Sequence, residues 1–243
     1  MAERVRAIFF DVAGTLIVPR ERIGQSYARL ARDYGLDADG QAVGAAFRRA
    51  FGAAPGLAFG LGHEAAELRR LEREWWRRVV ADTFAEFGTF RDFEGYFAAL
   101  FDFLGDPANW KADPEAEPLL ARLKQRGHTL GVISNFDYRV YGIMNGLGLG
   151  AYFDSMTISS EAGWAKPARE IFAAALGRHA LTPGEALHVG DSEQMDLAGA
   201  VGAGIAAVLI DRRASERCSI TGRGARVASL SAVIEVADKI AFT

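Results

Sequence analysis

The sequence predicts an α/β fold in which a parallel, Rossmann-like sheet carries helices on both faces and an all-helical domain is inserted after the first strand. The first observation is an apolar, β-prone run over residues 5–10, which Asp11 follows directly. The second is a long stretch, residues 20–110, in which apolar residues recur at helical spacing without a convincing strand. The third is the alternation of short apolar runs with helical segments from residue 113 onward, which is typical of right-handed crossovers in a parallel sheet.

Four helices are predicted in the stretch between residues 20 and 110. They cover residues 22–34, 41–51, 63–87 and 90–104. A glycine-rich loop is predicted over residues 53–62. Because this stretch follows the first strand, it divides the chain into a core of residues 1–19 and 111–243 and a helical cap of residues 20–110, placed to cover the edge of the sheet as a lid.

Strands and helices alternate in the predicted core. After the strand at residues 5–10, further strands are predicted at residues 129–134, 156–158, 186–189 and 206–210. The helices between them are predicted at residues 115–127, 138–147, 168–178 and 196–203. Apolar residues at helical spacing over residues 229–241 predict a last helix, which should close one face of the sheet.

Composition narrows the functional classes. The net charge of −3 creates no field that would attract nucleic acid or an anionic membrane. The sequence contains no run of about 18 apolar residues that could span a bilayer. Its single cysteine excludes an internal disulfide and fits a reducing compartment. We therefore expect a cytoplasmic protein, a monomer or a homodimer, that binds neither nucleic acid nor membranes.

Polar residues follow the predicted strands at the edge where the carboxyl ends of parallel strands meet. The set consists of Asp11, Ser134, Asn135, Lys166 in the loop of residues 163–167, and Asp191. Asp11 suits a nucleophile aimed at phosphorus, and Asp11 with Asp191 offers the hard oxygen ligands that Mg²⁺ prefers. Ser134, Asn135 and Lys166 offer hydrogen-bond donors to phosphoryl oxygens. The sequence thus predicts phosphoryl chemistry with Asp11, Ser134 and Lys166 as catalytic residues.

Three further residues complete the predicted site. The main-chain carbonyl of Ala13 is a third candidate ligand for Mg²⁺. Val12 and Ala13 join Ser134 and Lys166 in the predicted substrate-binding set. Asp196, five residues after Asp191, is predicted to orient Lys166 or a metal-bound water without binding the metal itself.

At these motifs the chain resembles the haloacid dehalogenase superfamily, in the branch whose helical cap follows the first strand. The matching residues are Asp11-Val12-Ala13-Gly14-Thr15, Val132-Ile133-Ser134-Asn135, Lys166-Pro167 and Gly190-Asp191-Ser192 through Asp196. The resemblance spans the whole chain. It implies a hydrolase that uses Mg²⁺ and transfers the phosphoryl group of a small phosphorylated molecule to Asp11.

Ala13 stands where most phosphatases of this superfamily carry a second aspartate, which protonates the leaving group. General acid–base catalysis contributes about 10²–10⁴-fold in rate. The sequence therefore predicts a weak phosphatase that is least impaired with aryl or acyl phosphates, whose leaving groups need little protonation. Two acids near the motifs, Asp137 and Glu193, are interpreted as a helix-start residue and a solvated residue rather than as substitutes. His188, inside a predicted strand, is interpreted as a packing residue.

Three alternatives stay open at this point. A 2-haloacid dehalogenase shares the Asp-x-x-Gly-Thr-Leu pattern, but that group works without metal and has serine at the position of Asp191. Phosphonoacetaldehyde hydrolase shares Asp-x-Ala-Gly-Thr but needs a cap lysine, and none of the four lysines lies between residues 20 and 110. The third alternative is a phosphate-binding or interaction module that has lost catalysis together with the acid.

Overall fold

A mostly parallel sheet forms the centre of the fold in the computed structural model, which describes residues 5–214 and 218–239. In chain order the strands are β1 (Ala7–Phe10), β2 (Ile17–Pro19), β3 (Trp110–Ala112), β4 (Thr129–Ser134), β5 (Ser155–Ile158), β6 (Ala186–Gly190), β7 (Ala206–Ile210), β8 (Cys218–Thr221) and β9 (Gly224–Val227). The central sheet has the order β5-β4-β1-β6-β7-β9-β8. Its first six strands are parallel, and β8 pairs antiparallel with β9, so the predicted fold class is confirmed.

Helices cover both faces of this sheet. They are α5 (Ala116–Gln125), α6 (Arg139–Gly146), α7 (Ser159–Ala162), α8 (Arg169–Gly177), α9 (Gly199–Gly202) and α10 (Val233–Lys239). On β1, Ile8 and Phe10 join the buried cluster formed with α5, α6 and α10, whereas Ala7 and Phe9 join the cluster formed with α8 and α9. Successive residues of a strand point to opposite faces, so this all-apolar strand is buried on both sides.

Four helices occupy the segment between β2 and β3. They are α1 (Ile23–Asp33), α2 (Gly40–Ala53), α3 (Ala65–Phe84) and α4 (Phe93–Gly105). Their facing sides form a separate hydrophobic cluster that is rich in aromatic rings, including Tyr27, Phe84 and Tyr96. The Tyr96 hydroxyl donates to the Tyr27 carbonyl at 3.1 Å and ties α4 to α1. The segment thus has its own core, distinct from the two clusters that flank the sheet.

The structure adds elements that the sequence pattern did not predict. β2 and β3 form an antiparallel ribbon, and their three residues each are too short for an alternating pattern to be recognised. The helix predicted at 196–203 begins earlier, as a π-helical turn over Glu193–Ala198 that precedes α9. The predicted C-terminal helix starts at Val233, and its last two predicted residues lie outside the described ones. None of the helices in the described ranges has both the length and the apolar character that crossing a membrane requires.

Candidate active site

Asp11 lies at the carboxyl edge of the sheet, beside segments that leave the two neighbouring strands. β1 pairs with β4 on one side and with β6 on the other, and Phe10 lies opposite both Val132 and Val189. The Asp11 N–H extends this pairing by donating to the Val189 carbonyl at 2.8 Å. The residues that follow the three strands therefore leave the sheet at one level, where their side chains can meet.

Asp11 is buried and presents one carboxylate oxygen to two donors. Its Oδ1 accepts hydrogen bonds from the Ser134 hydroxyl at 2.9 Å and from Lys166 Nζ at 2.7 Å. Its Oδ2 accepts no hydrogen bond from the part of the chain that the structure describes. Burial raises the pKa of Asp11, and the negative charge of Asp196 raises it further. The positive charge of Lys166 acts in the opposite direction without cancelling the rise. The carboxylate is thus fixed by one oxygen, which leaves the other for a ligand.

Lys166 is buried between two carboxylates. Its Nζ lies 2.7 Å from Asp11 Oδ1 and 2.5 Å from Asp196 Oδ1, and these partners raise the pKa of Lys166 in spite of its burial. Asp196 also accepts from the His188 ring at 2.9 Å and from the Ser192 N–H at 2.9 Å. Although burial acts in the opposite direction, Lys166 and His188 hold the pKa of Asp196 below its ordinary value. Asp196 therefore stays ionised and fixes the position of the Lys166 ammonium.

His188 is a contributor to the site that sequence reasoning assigned only to packing. Its ring packs edge-on against Phe172, as a packing residue would, while its Nε2 contacts Asp196. Burial lowers the pKa of His188, so the neutral ring is the donor in this contact. The sequence signal for this role is the spacing between His188 and Gly190, because residues two apart in a strand point to the same face of the sheet. A Cβ at Gly190 would overlap the Asp196 carboxyl group, which places that carboxyl against the same face of β6.

Two of the predicted substrate-binding residues, Asn135 and Val12, have side chains that the protein itself engages or buries. The Asn135 side chain is engaged with the main chain of Lys166: its Nδ2 donates to the Lys166 carbonyl at 3.0 Å, and its Oδ1 accepts from the Lys166 N–H at 2.7 Å. Asn135 therefore holds the loop that carries the lysine, with one amide hydrogen left for a ligand. The Val12 side chain is fully buried in the core, so Val12 can reach a ligand only through its main chain.

The loop after β1 brings Asp191 close to Asp11. The Val12 carbonyl accepts three N–H groups, those of Thr15, Leu16 and Ile17, which winds the loop into a tight turn. Gly14 in this turn has φ +92°, and a Cβ there would overlap the Asp191 carboxyl group. Only glycine meets both demands, because the positive φ and the close approach each disfavour a side chain.

Three carboxylates and one ammonium form what we call the site cluster: Asp11, Asp191, Asp196 and Lys166. Each carboxylate brings one oxygen within 4.8 Å of the other two. With its three carboxylates ionised and His188 neutral, the site cluster carries two negative charges in excess. Partial burial and the charges of Asp11 and Asp196 raise the pKa of Asp191 to about 6. Excess negative charge on hard oxygen donors fits a divalent cation such as Mg²⁺, with Asp11 and Asp191 the candidate ligands.

A cleft of about 870 Å³ opens above the site cluster. Its floor contains the site cluster with Ala13, Ser134 and Asn135, and its opposite wall comes from α2, α3 and the loop between them. The wall is apolar, with Phe51, Leu57 and Trp75 as its large side chains. Of the two acids considered as substitutes, Asp137 is fully buried elsewhere and Glu193 is exposed, contacting Arg226 at 3.5 Å.

Sequence comparison relates the chain to hydrolases along most of its length. The model of the haloacid dehalogenase-like hydrolase family matches residues 5–204. Human haloacid dehalogenase-like hydrolase domain-containing protein 3 is 36% identical over 221 residues, which cover 86% of this chain and 84% of the human protein. A phosphoserine phosphatase from Thermus thermophilus is 40% identical over 101 residues, which cover 41% of this chain and 40% of that enzyme.

Structural comparison finds the same fold in proteins of different activity. A HAD-hydrolase from Bacillus subtilis, bound to magnesium, superimposes with a TM-score of 0.73 at 18% identity and covers 97% of this chain and 100% of its own. The L-2-haloacid dehalogenase of Xanthobacter autotrophicus gives a TM-score of 0.72 at 17% identity, covering 98% of this chain and 100% of its own. These likenesses establish the fold and do not choose between the activities. With a family model matching residues 5–204 and a relative aligned over 86% of the chain, this protein belongs to the haloacid dehalogenase-like hydrolase family and is a hydrolase.

Proposed function

We propose that this protein is a Mg²⁺-dependent phosphatase of a small phosphorylated metabolite, acting through an aspartyl-phosphate on Asp11. The observation that carries the proposal is the grouping of the Asp11 and Asp191 carboxylates beside the Lys166 ammonium and the Ser134 hydroxyl. The similarity to a phosphoserine phosphatase supports it. We propose further that residues 20–110 form a cap over a core of residues 1–19 and 111–243, in keeping with the separate hydrophobic cluster of α1–α4.

Asp11 Oδ2 is the proposed nucleophile, because Oδ1 already accepts two hydrogen bonds. It attacks phosphorus, the bond from phosphorus to the leaving oxygen breaks, and the electron pair departs with that oxygen. The oxygen of a water molecule then adds to phosphorus, the bond to Asp11 breaks, and the products are inorganic phosphate, a proton released to solvent and the free carboxylate. The Ser134 and Lys166 donors stabilise the negative charge on the phosphoryl oxygens.

Mg²⁺ would be held by Asp11, Asp191 and the carbonyl of Ala13. When bound, it would neutralise part of the negative charge of the phosphoryl group. The main-chain N–H groups of Val12 and Ala13, with the remaining amide hydrogen of Asn135, are the further proposed contacts to the phosphoryl group. Because no carboxyl group stands at position 13, the leaving oxygen receives no proton from that side. We therefore propose slow turnover, with leaving-group departure as the step most affected.

A 2-haloacid dehalogenase is the second candidate, and the apolar cleft wall favours it. Displacement of a halide also requires no proton donor, which fits Ala13. Asp191 weighs against this candidate, because a second carboxylate beside Asp11 would disfavour the ionised nucleophile unless a cation lies between the two. Phosphonoacetaldehyde hydrolase is not favoured, since the lysine that lines the cleft is Lys166 and it is paired with Asp11 and Asp196.

The deciding experiment compares product release with and without metal. We expect release of phosphate from p-nitrophenyl phosphate with Mg²⁺, and its loss with EDTA or in Asp191→Asn. Glu193→Gln is the matched control, because it removes an exposed acid two residues away that is not part of the site cluster. Release of chloride from 2-chloropropionate in EDTA, without phosphate release, would reverse the ranking of the two candidates.

A thermal-shift measurement separates an enzyme from a binding module. Beryllium fluoride with Mg²⁺ mimics an acyl phosphate on a carboxylate, so it should raise the melting temperature of the wild-type protein and not that of Asp11→Asn. No shift in the wild-type protein would favour the binding module, and an equal shift in both proteins would contradict attachment at Asp11.

A further inference from the structure

We propose that the cleft selects phosphate esters whose leaving group is an uncharged aromatic alcohol, with Phe51 as the residue that sets this preference. The inference rests on the proposed phosphatase activity and adds the substrate class. Two independent features of the cleft lead to it: the composition of the wall opposite the site cluster, and the lack of a proton donor at the leaving oxygen.

The wall presents aromatic surface without a free polar side-chain atom. Trp75 is buried, and its only polar side-chain atom, Nε1, donates to the Pro55 carbonyl at 2.9 Å. Phe51, in the last turn of α2, is 42% exposed although it lies against Trp75 and Trp76, with ring centroids 5.8 Å away in each case. A phenyl group in the cleft would find an exposed ring to stack on, and offset or edge-on ring pairs are favourable beyond their buried area.

Nothing on this wall would accept a second charge on the substrate. Among the described residues that line the cleft, the charged ones are the four members of the site cluster. Lys166 is already paired with two carboxylates, so its positive charge is not available to an anionic group on the far side of the substrate from the phosphate. A carboxylate or second phosphate on the leaving group would lose its water beside Phe51, Leu57 and Trp75 without gaining a partner, which is costly.

The chemistry of leaving-group departure also favours phosphate esters of aromatic alcohols. Position 13 carries no acid, and Asp196 has its oxygens occupied by Lys166, His188 and the Ser192 N–H, so it has no proton to give. When Asp11 bonds to phosphorus, the phosphorus–oxygen bond breaks and its electron pair leaves on the departing oxygen. A phenolate carries that charge on its ring and takes its proton from water later, whereas an alkoxide needs the proton during departure. Aryl esters therefore fit both the wall and the missing acid.

The test compares phenyl phosphate with 4-carboxyphenyl phosphate in the presence of Mg²⁺. The carboxylate makes the departing phenol slightly more acidic, so leaving-group chemistry alone would favour the charged ester. We expect kcat/KM to be higher for the neutral ester by about tenfold or more, which corresponds to about 1.4 kcal/mol. Phosphorylated alkyl alcohols should be slower than both.

Two variants, Phe51→Arg and Val201→Arg, distinguish the effect of a positive charge on the cleft wall from the effect of the same charge elsewhere on the surface. Both replace an exposed apolar residue by arginine, but Val201 lies outside the cleft. Phe51→Arg should abolish or reverse the preference for the neutral ester, and Val201→Arg should keep it. Equal rates for the two esters in the wild-type protein, or the same response of both variants, overturn the inference and leave the phosphatase proposal standing. If neither ester nor any alkyl phosphate is hydrolysed, the phosphatase proposal itself fails.

Discussion

The molecule contains a balanced pair of buried charges and a cluster of charges that is not balanced. The balanced pair is Asp137 with Arg139, in what we call the junction cluster (Glu72, Trp76, Asp137, Arg139 and Ser160). Asp137 contacts Arg139 through both of its oxygens, at 2.8 and 2.6 Å. In the site cluster, three carboxylates face one ammonium. The Asp137–Arg139 pair is complete without a ligand, whereas the site cluster needs a cation. Uncompensated charge, more than buried charge as such, marks the place where a ligand belongs.

The junction cluster joins α3 to the segments around α6 and α7. Trp76 Nε1 donates to Asp137 at 2.6 Å, and Arg139 donates to the Phe101 carbonyl in α4 at 2.9 Å. Glu72 accepts from the Ser160 hydroxyl at 2.5 Å. The cluster therefore ties α3 and α4 of the helical segment to the segments around α6 and α7.

The largest effect on activity is expected from Asp11→Asn. Loss of the nucleophile should lower kcat for p-nitrophenyl phosphate by at least about 10³-fold, as in other covalent mechanisms. The free energy of unfolding in EDTA should not fall, because the substitution removes one of the excess negative charges. Steady-state kinetics and urea unfolding check the two halves of the prediction. A clear loss of stability would mean that Asp11 is part of a balanced network after all.

Asp137→Ala should give the opposite result, a large loss of stability. It leaves the buried Arg139 guanidinium and the Trp76 Nε1 without their carboxylate, and breaking a buried pair in this way costs roughly 3–5 kcal/mol. Asp238→Ala is the matched control, because Asp238 forms a similar two-oxygen contact with Arg126 but is exposed, so its loss should cost at most about 1 kcal/mol. Urea unfolding of both variants decides the matter. Similar losses in the two would contradict the balanced junction.

Ala13→Asp should add a general acid beside the site cluster and so speed the departure of leaving groups that need a proton. Its carboxyl group can supply the missing proton, so alkyl phosphates should be hydrolysed faster by about 10- to 100-fold, near the lower end of what general acids contribute. Aryl phosphates should gain little, because phenolates leave without help. Ala13→Asn is the control, since it has a similar shape and cannot donate in the same way. Equal gains for both variants would show that protonation is not what limits the rate.

The polar half of the cleft could be predicted from sequence because parallel strands fix where their ends lie. Asp11 and Asp191 each follow a strand of the central sheet and Ser134 ends one, and the pairing of β1 with β4 and β6 brings them to one edge. Lys166 follows no strand, and its place in the site was inferred from the motif. The contacts of Asn135 could not be predicted from the sequence. A side-chain amide has both donors and acceptors, and its partner here lies in a loop that is distant in the chain.

The apolar half could not be predicted for a physical reason. The sequence indicates that Phe51 and Trp75 lie on helices, but their height over Asp11 depends on how those helices dock, which helical spacing does not encode. The junction cluster shows the same limit. Asp137 was correctly interpreted as a helix-start residue, since it accepts the Arg139 N–H at 3.0 Å, but its contact with Trp76 spans 61 positions in the chain.

The smallest effect is expected from Glu72→Gln, and it should depend on pH. Glu72 is fully buried, and its Oε2 has no hydrogen-bond partner among the described residues, so burial raises the pKa of Glu72. A carboxyl group whose pKa is higher in the folded state binds more protons there, so its contribution to stability is lost as pH rises above the ordinary carboxyl range. Glutamine does not titrate, so Glu72→Gln should differ from wild type by less than about 1 kcal/mol at low pH and become relatively more stable as pH rises. Urea unfolding of both proteins across this range measures the difference, and a constant difference would show that Glu72 does not change its protonation on folding.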